Sequence, residues 1–258
     1  MAGKTILTPG QRAALFDPPT DHSSIERVYT LGSAELAEIF RRRRPANRIG
    51  FAVQLCYLRA PGRALRADEA PPLPMLALLA EQLTCTVKDF DLYADRSPTL
   101  REHRAQAEAW LGMRPFVVSD RRALFEIAAD VAAATDRGEA IVVAMVQAMR
   151  DNNVTLPASD TFERIALVAR ARARKSAYSR IARGLSGDQR DNLAQLLITG
   201  PALGRTTLAW LREYPEAPSA GNLAAVIERL EIARGLAIEP ERARTIHANR
   251  YAVMAREA

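Results

Sequence analysis

An all-α protein of many helices arranged in two helical domains is what this 258-residue sequence predicts, and three observations lead there. Hydrophobic residues make up 48% of the chain and aromatics only 6%, so the interiors must be built from Leu, Ile, Val and Ala with few large anchors. Alanine and arginine, both strong helix formers, recur throughout while glycine gathers at junctions, and no long Val/Ile/Thr-rich alternation marks a sheet. The length exceeds that of an ordinary single domain, which favours two.

The first helix starts at Thr8-Pro9-Gly10-Gln11, where Thr caps and Pro is tolerated at the first helical position; Leu15 and Phe16 anchor it. After Asp17-Pro18-Pro19 a second short helix is predicted from Asp21 to about Tyr29. Ser33 caps a third, containing Leu36, Ile39 and Phe40 and carrying Arg41-Arg42-Arg43-Arg44 until Pro45 interrupts it. A fourth follows from about Ala46 to Leu58. Pro72 and Pro74 introduce a helix whose apolar content from Leu73 through Leu83 implies burial on most sides. A turn around Cys85 to Lys88 then leads to a helical segment at Asp89 to Tyr93. That spacing suits a helix-turn-helix and suits a plain helical hairpin as well.

Further helices are predicted at about Ser97 to Leu111, Ser119 to Asp136 and Glu139 to Arg150, punctuated by Gly112 and Gly138. Asp151-Asn152-Asn153 and Leu156-Pro157-Ala158-Ser159 form the strongest compositional break, with Ser159 or Asp160 capping the next helix. A domain boundary is placed there, giving domains 1–154 and 155–258. The second half holds a long helix from about Asp160 to Arg183, then Ser186 to Ile198, Thr206 to Tyr214 and, beyond Pro215 and Pro218, Ala220 to Arg234. Pro240 opens a last helix with Ile246, Arg250 and Val253 on one face. Its pattern is still running where the sequence stops, which predicts further sequence downstream.

The formal charge is +6 and the isoelectric point about 9.7. Such an excess holds polyanions through phosphate contacts and counterion release, and it also describes an arginine-rich helical protein with no such partner. Position has to decide. Arg41 to Arg44, with Arg48 beyond Pro45, would point in most directions on a helix, so only two or three of them can face one phosphate backbone. The alternative is a solvated helix end whose cations offset the C-terminal dipole. Arg164 to Arg183 is more informative: it carries Arg170, Arg172, Arg174, Lys175 and Arg180, and no acid occurs from Arg164 through Gly187. At about 100° per residue Leu167, Ala171, Tyr178 and Ile181 form an apolar stripe, opposite which Arg172, Lys175 and Arg183 project. Arg174 lies near that stripe, placed to snorkel or pair internally. Arg96, Arg101, His103 and Arg104, then Arg114, Arg121 and Arg122, form a third set after Lys88. Phosphate is one partner for them; Glu102, Glu108 and Asp120 are the internal alternative. Trp210, in an apolar string, reads as core.

Little supports catalysis. His22, His103 and His247 are isolated, no nucleophile-elbow, zinc-protease or phosphate-loop spacing occurs, and carboxylates are scattered over every helix. Cys56 and Cys85 form no CxxC pair and read as reduced thiols. The N-terminus has no apolar signal region, and apolar runs end well before the ~18 residues of a membrane span, so a bacterial-type cytoplasmic protein is expected, with no membrane partner. No metal or cofactor is expected in this chain.

The string from Arg41 through Arg59, RRRRPANRIGFAVQLCYLR, closely resembles the N-terminal region of replicative transposases of the Tn-three family. Tyr29-Thr30-Leu31, Pro61-Gly62-Arg63, Arg101-Glu102-His103, Leu111-Gly112-Met113-Arg114-Pro115-Phe116, Leu208-Ala209-Trp210-Leu211 and Asn222-Leu223 through Leu230 match as well, so the resemblance runs from about Leu7 to Tyr251. It implies helical DNA-binding domains that recognise transposon terminal inverted repeats. Strand transfer would belong to an aspartate, aspartate and glutamate metal site in a later RNase H-like region, so no catalytic residue carries over. The unfinished final helix motivates a second hypothesis, a protein-contact role: a transposase homodimer through regions beyond this chain, or an inhibitory oligomerisation module of a truncated transposase. The resemblance also makes the arginine run a motif within the fold, with some arginines paired internally and Arg48 structural.

Overall fold

The computed structural model describes residues 6–66, 69–93, 97–199, 204–213, 217, 219–239 and 244–257. Among them are thirteen α-helices, one 3-10 helix and isolated β-bridges, so the chain is all-α. It forms two compact units, Met1–Ala173 and Arg174–Ala258.

The first unit opens with α1 (Pro9–Phe16), α2 (His22–Tyr29) and α3 (Ser33–Phe40). A reciprocal cap starts α1: Gln11 N–H donates to Thr8 Oγ1 at 3.3 Å and Thr8 N–H to Gln11 Oε1 at 2.9 Å. Asp21 caps α2, accepting from Ser24 N–H at 2.9 Å. Next is α4 (Pro45–Arg59), buried continuously from Ile49 to Leu58 because other elements surround it. Tyr29, Ile39, α5 (Leu73–Gln82) and Ala107 of α6 (Ser97–Trp110) complete its core. Between α5 and α6 lies a 3-10 helix, Val87–Leu92. The segment expected to be the second arm of a helix-turn-helix is therefore a six-residue 3-10 turn packed on α4, too short to serve as a recognition helix.

A second cluster joins Leu7 and Phe16 to α7 (Val118–Ala134), α8 (Gly138–Asp151) and the beginning of α9 (Ser159–Ala182). The compositional break at 151–158 is inside this unit. Val154 and Leu156 are buried, Leu156 N–H donates to Gly62 O at 2.8 Å, and Arg114 N–H donates to Asn153 O at 2.9 Å. Phe162, Ile165, Ala166 and Ala169 pack in the same core, which is why the compact units part between Ala173 and Arg174 while a boundary at 154/155 falls within the first of them. Polar turn residues signal a break in helix, and tertiary burial decides whether a domain ends there.

The second unit holds the end of α9, α10 (Gly187–Gln195), α11 (Thr207–Leu211), α12 (Ala220–Gly235) and α13 (Ala248–Glu257). Its described core is small: Ala177, Ile246 and Met254, with Ile181 against them. No helix among the described residues is long and apolar enough to cross a membrane.

Candidate nucleic-acid interface

The arginine run is a turn, which corrects its expected place on the third helix. α3 stops at Phe40 because Arg42 N–H bonds to Ile39 O at 3.1 Å and the Arg42 guanidinium takes the Glu38 carbonyl. The turn sorts the four guanidinium groups. Arg41 is 77% exposed and pairs with Glu38 at 2.9 Å. Arg42 is 10% exposed: it pairs with Glu38 Oε1 at 3.1 Å, donates to Gln106 Oε1 at 2.8 Å and lies 3.2 Å from the centroid of the Phe51 ring. Arg43 and Arg44 are exposed and, among the described residues, have no ion-pair partner. Arg48 is half-buried, its Nε donating to Arg42 O at 2.8 Å and its guanidinium over Phe40 at 5.1 Å.

The third basic set divides in the same way. His103 is 6% exposed, a core residue that corrects its placement among surface phosphate contacts. Its Nδ1 shares a 3.1 Å hydrogen bond with Tyr93 Oη, its ring stacks on Tyr93 at 5.6 Å, and Phe51 meets it edge-on at 5.5 Å. Burial, helped by the Arg42 charge, holds its pKa below the usual histidine value. Arg104 pairs with Glu108 at 3.1 Å. Arg114 grips Asp120 with two bonds of 2.8 and 2.7 Å, and these hydrogen bonds hold the Asp120 carboxyl below its ordinary range. Lys88, Arg101 and Arg121 are exposed without an ion-pair partner among the described residues, while exposed Arg122 pairs with Glu126 at 3.5 Å. Arg96 lies outside the described residues.

On α9 the apolar stripe sits elsewhere than expected. The inward residues are Phe162, Ala166, Ala169, Ala173 and Ala177, at helical spacing and continued by Ile181, whereas Ala171 and Tyr178 are exposed. Alanines let a helix approach its neighbours closely, and here they make the contact in place of the bulkier Leu167 and Tyr178. Of the three cations expected opposite the stripe, Arg172 and Lys175 are exposed and unpaired among the described residues. Arg170 is half-buried, Arg180 is exposed and donates to Thr245 O at 3.3 Å, and Arg183 is exposed with a partner of its own. Trp210, expected in the core, is half-buried beneath Arg229 at 4.8 Å.

Several arginines with no sequence signal prove structural. Arg63 is 3% exposed and grips Glu69 with two bonds of 2.6 Å while donating to Phe16 O. Arg12 meets buried Glu163 at 2.6 Å, and Arg59 meets Glu35 at 2.6 Å. A motif such as Pro61-Gly62-Arg63 holds nothing that distinguishes a buried guanidinium from a solvated one. Among the described residues no group of three or more His, Cys, Asp or Glu is placed to hold a metal ion. Burial pushes the Cys56 thiol up to about 12, and Cys85 is half-buried. What the arrangement offers chemically is a set of exposed cations without ion-pair partners among the described residues, suited to binding phosphates.

Comparison with known proteins places this frame. Residues 6–169 match the model of a domain of unknown function, DUF4158. All of the chain aligns at 36% identity with the transposase for transposon Tn21 of Escherichia coli, over 26% of that protein. It aligns equally completely, at 34%, with the transposase for transposon Tn501 of Pseudomonas aeruginosa, and 98% of it aligns at 30% with that for Tn1546 of Enterococcus faecium. The chain thus spans about a quarter of the length of the curated relatives it matches.

Proposed function

The chain belongs to the DUF4158 family and is homologous over its whole length to transposases of the Tn-three family, and from that premise we propose that it binds duplex DNA at the terminal inverted repeats of a transposon. The observation that carries the reading is the survival of unpaired, exposed cations, namely Arg43, Arg44, Lys88, Arg101, Arg121, Arg172 and Lys175, in a fold that pairs so many of its other arginines. Phosphate contacts of this kind position a protein on DNA and make binding salt-dependent. All of these but Lys175 lie in the first compact unit, and Lys175 follows Arg172 on α9 just past the division, so a footprint made chiefly by the first unit and extended along α9 is expected. Strand transfer belongs, on this reading, to the portion of the relatives that the chain does not match. Footprinting and gel shift on terminal-repeat and random duplexes test it: a preference for the repeat at moderate salt is expected, and equal affinity for both removes end recognition.

A second reading, an oligomerisation module, has its own observation. Leu223, Ile227 and Leu230 stand exposed at helical spacing on α12. Analytical ultracentrifugation separates the two: a stable dimer without DNA affinity supports assembly, and a monomer that binds duplex refutes it.

A further inference from the structure

We propose that the turn between α3 and α4 is a preorganised clamp for the phosphate backbone of duplex DNA, in which Arg43 and Arg44 make contact and Arg42 is the positioning residue that holds them. The inference rests on the DNA-binding reading above and assigns different work to arginines that look equivalent in sequence. Arg42 is held at its guanidinium end. Its guanidinium edge bonds Glu38 and reaches across to Gln106 on α6, and its flat face covers the Phe51 ring of α4. Only a planar fork can bond in its plane and stack at the same time. The Arg42 carbonyl, peptide-bonded to Arg43, accepts from Arg48 Nε at 2.8 Å.

The far end is held as well. Arg44 O accepts from the Asn47 and Arg48 N–H groups, both at 3.0 Å, and Pro45 restricts the backbone that follows. Arg43 and Arg44 therefore form a two-residue segment fixed at each end, exposed, with the neighbouring acid Glu38 already engaged by Arg41 and Arg42. Arg44 is extended, at φ −88° and ψ 135°, and two exposed guanidinium groups in succession can each take a phosphate of the backbone. A turn already held in its binding conformation loses little entropy on docking. The chemistry recognised is the sugar-phosphate backbone, with no base preference.

The test is fluorescence anisotropy of the full chain on a random-sequence duplex between about 50 and 200 mM salt. Arg43→Ala with Arg44→Ala removes two phosphate contacts, so the slope of log K against log salt falls by about 1.8 and the affinity lost across that range shrinks by about twelvefold. Arg42→Ala weakens binding with the helical signal retained, and adds no further loss in the Arg43→Ala/Arg44→Ala background. Arg42→Lys keeps the charge but cannot span Glu38, Gln106 and the Phe51 face, so it behaves like Arg42→Ala. Should Arg42→Ala unfold the unit, Gln106→Ala, which removes one exposed tether, gives a smaller loss that again vanishes in the double variant. Additive losses, or an Arg42→Lys chain that binds as the wild type does, overturn the positioning role. An unchanged slope in the double variant overturns the clamp while DNA binding stands. Failure of the wild-type chain to bind any duplex overturns the DNA-binding reading itself.

Discussion

Gly50→Ala pits helix propensity directly against packing. Gly50 lies buried within α4, where alanine on propensity alone would gain about 1 kcal/mol. A Cβ at this position would lie 2.1, 2.2 and 2.4 Å from three carbons of the Tyr93 ring, far inside van der Waals contact. The ring has little freedom to retreat, since it is buried, stacks on His103 and shares a hydrogen bond with its Nδ1. Overpacking of this kind costs about 1–3 kcal/mol, and a clash with three rigid ring atoms belongs at or beyond the upper end. Net of the propensity gain, a loss of about 2 kcal/mol is expected. For a unit of this size that lowers Tm by roughly 4–8 °C, measured by circular dichroism at neutral pH. In a Tyr93→Ala background the same substitution should cost nothing, because the obstructing ring is gone. An unchanged or raised Tm in the otherwise native chain would refute the packing account.

Acidification should destabilise the first unit through His103, whose pKa is depressed in the folded state by burial and by Arg42. The unfolded chain then binds the proton more readily, so this stabilisation is complete above the unfolded value near 6.5 and declines as pH falls below it. An NMR titration midpoint at or above 6.5 for His103 would contradict this. Arg63→Met leaves Glu69 without its two guanidinium bonds in a largely desolvated place and is expected to cost on the order of 3 kcal/mol in urea unfolding; a change within about 0.5 kcal/mol would mean the pair is dispensable. Arg172→Ala and Lys175→Ala should each reduce the salt slope of DNA binding by about one without changing the helical signal, and an unchanged slope takes that residue out of the interface.

Much of the helical order is legible in the chain because caps and breakers act locally. Thr8-Pro9, Asp21, Ser186 and Ser219 each sit where a side chain satisfies the first free N–H groups, and the helices begin there. The roles of the arginines are not legible in the same way. Arg42, Arg63 and Arg114 have the same local appearance as Arg43, Arg101 and Arg121, yet the first three have acidic partners at Glu38, Glu69 and Asp120. A guanidinium is free or engaged according to which carboxylates folding brings to it, and separations of four to six residues across a turn leave no periodic mark.

By itself the sequence determined the all-α class, the positions of most helices, the cationic excess and the resemblance to transposases, all properties of composition, local capping and residue order. Only tertiary structure decided that the break at Asp151 lies inside a compact unit, that His103 is core, that α9 packs on alanines, and which charges remain exposed. The physical reason is common to all four. Burial is set by neighbours distant in sequence, and even an ion pair between residues close in sequence depends on the turn that brings them together, so both come into being only when the helices pack.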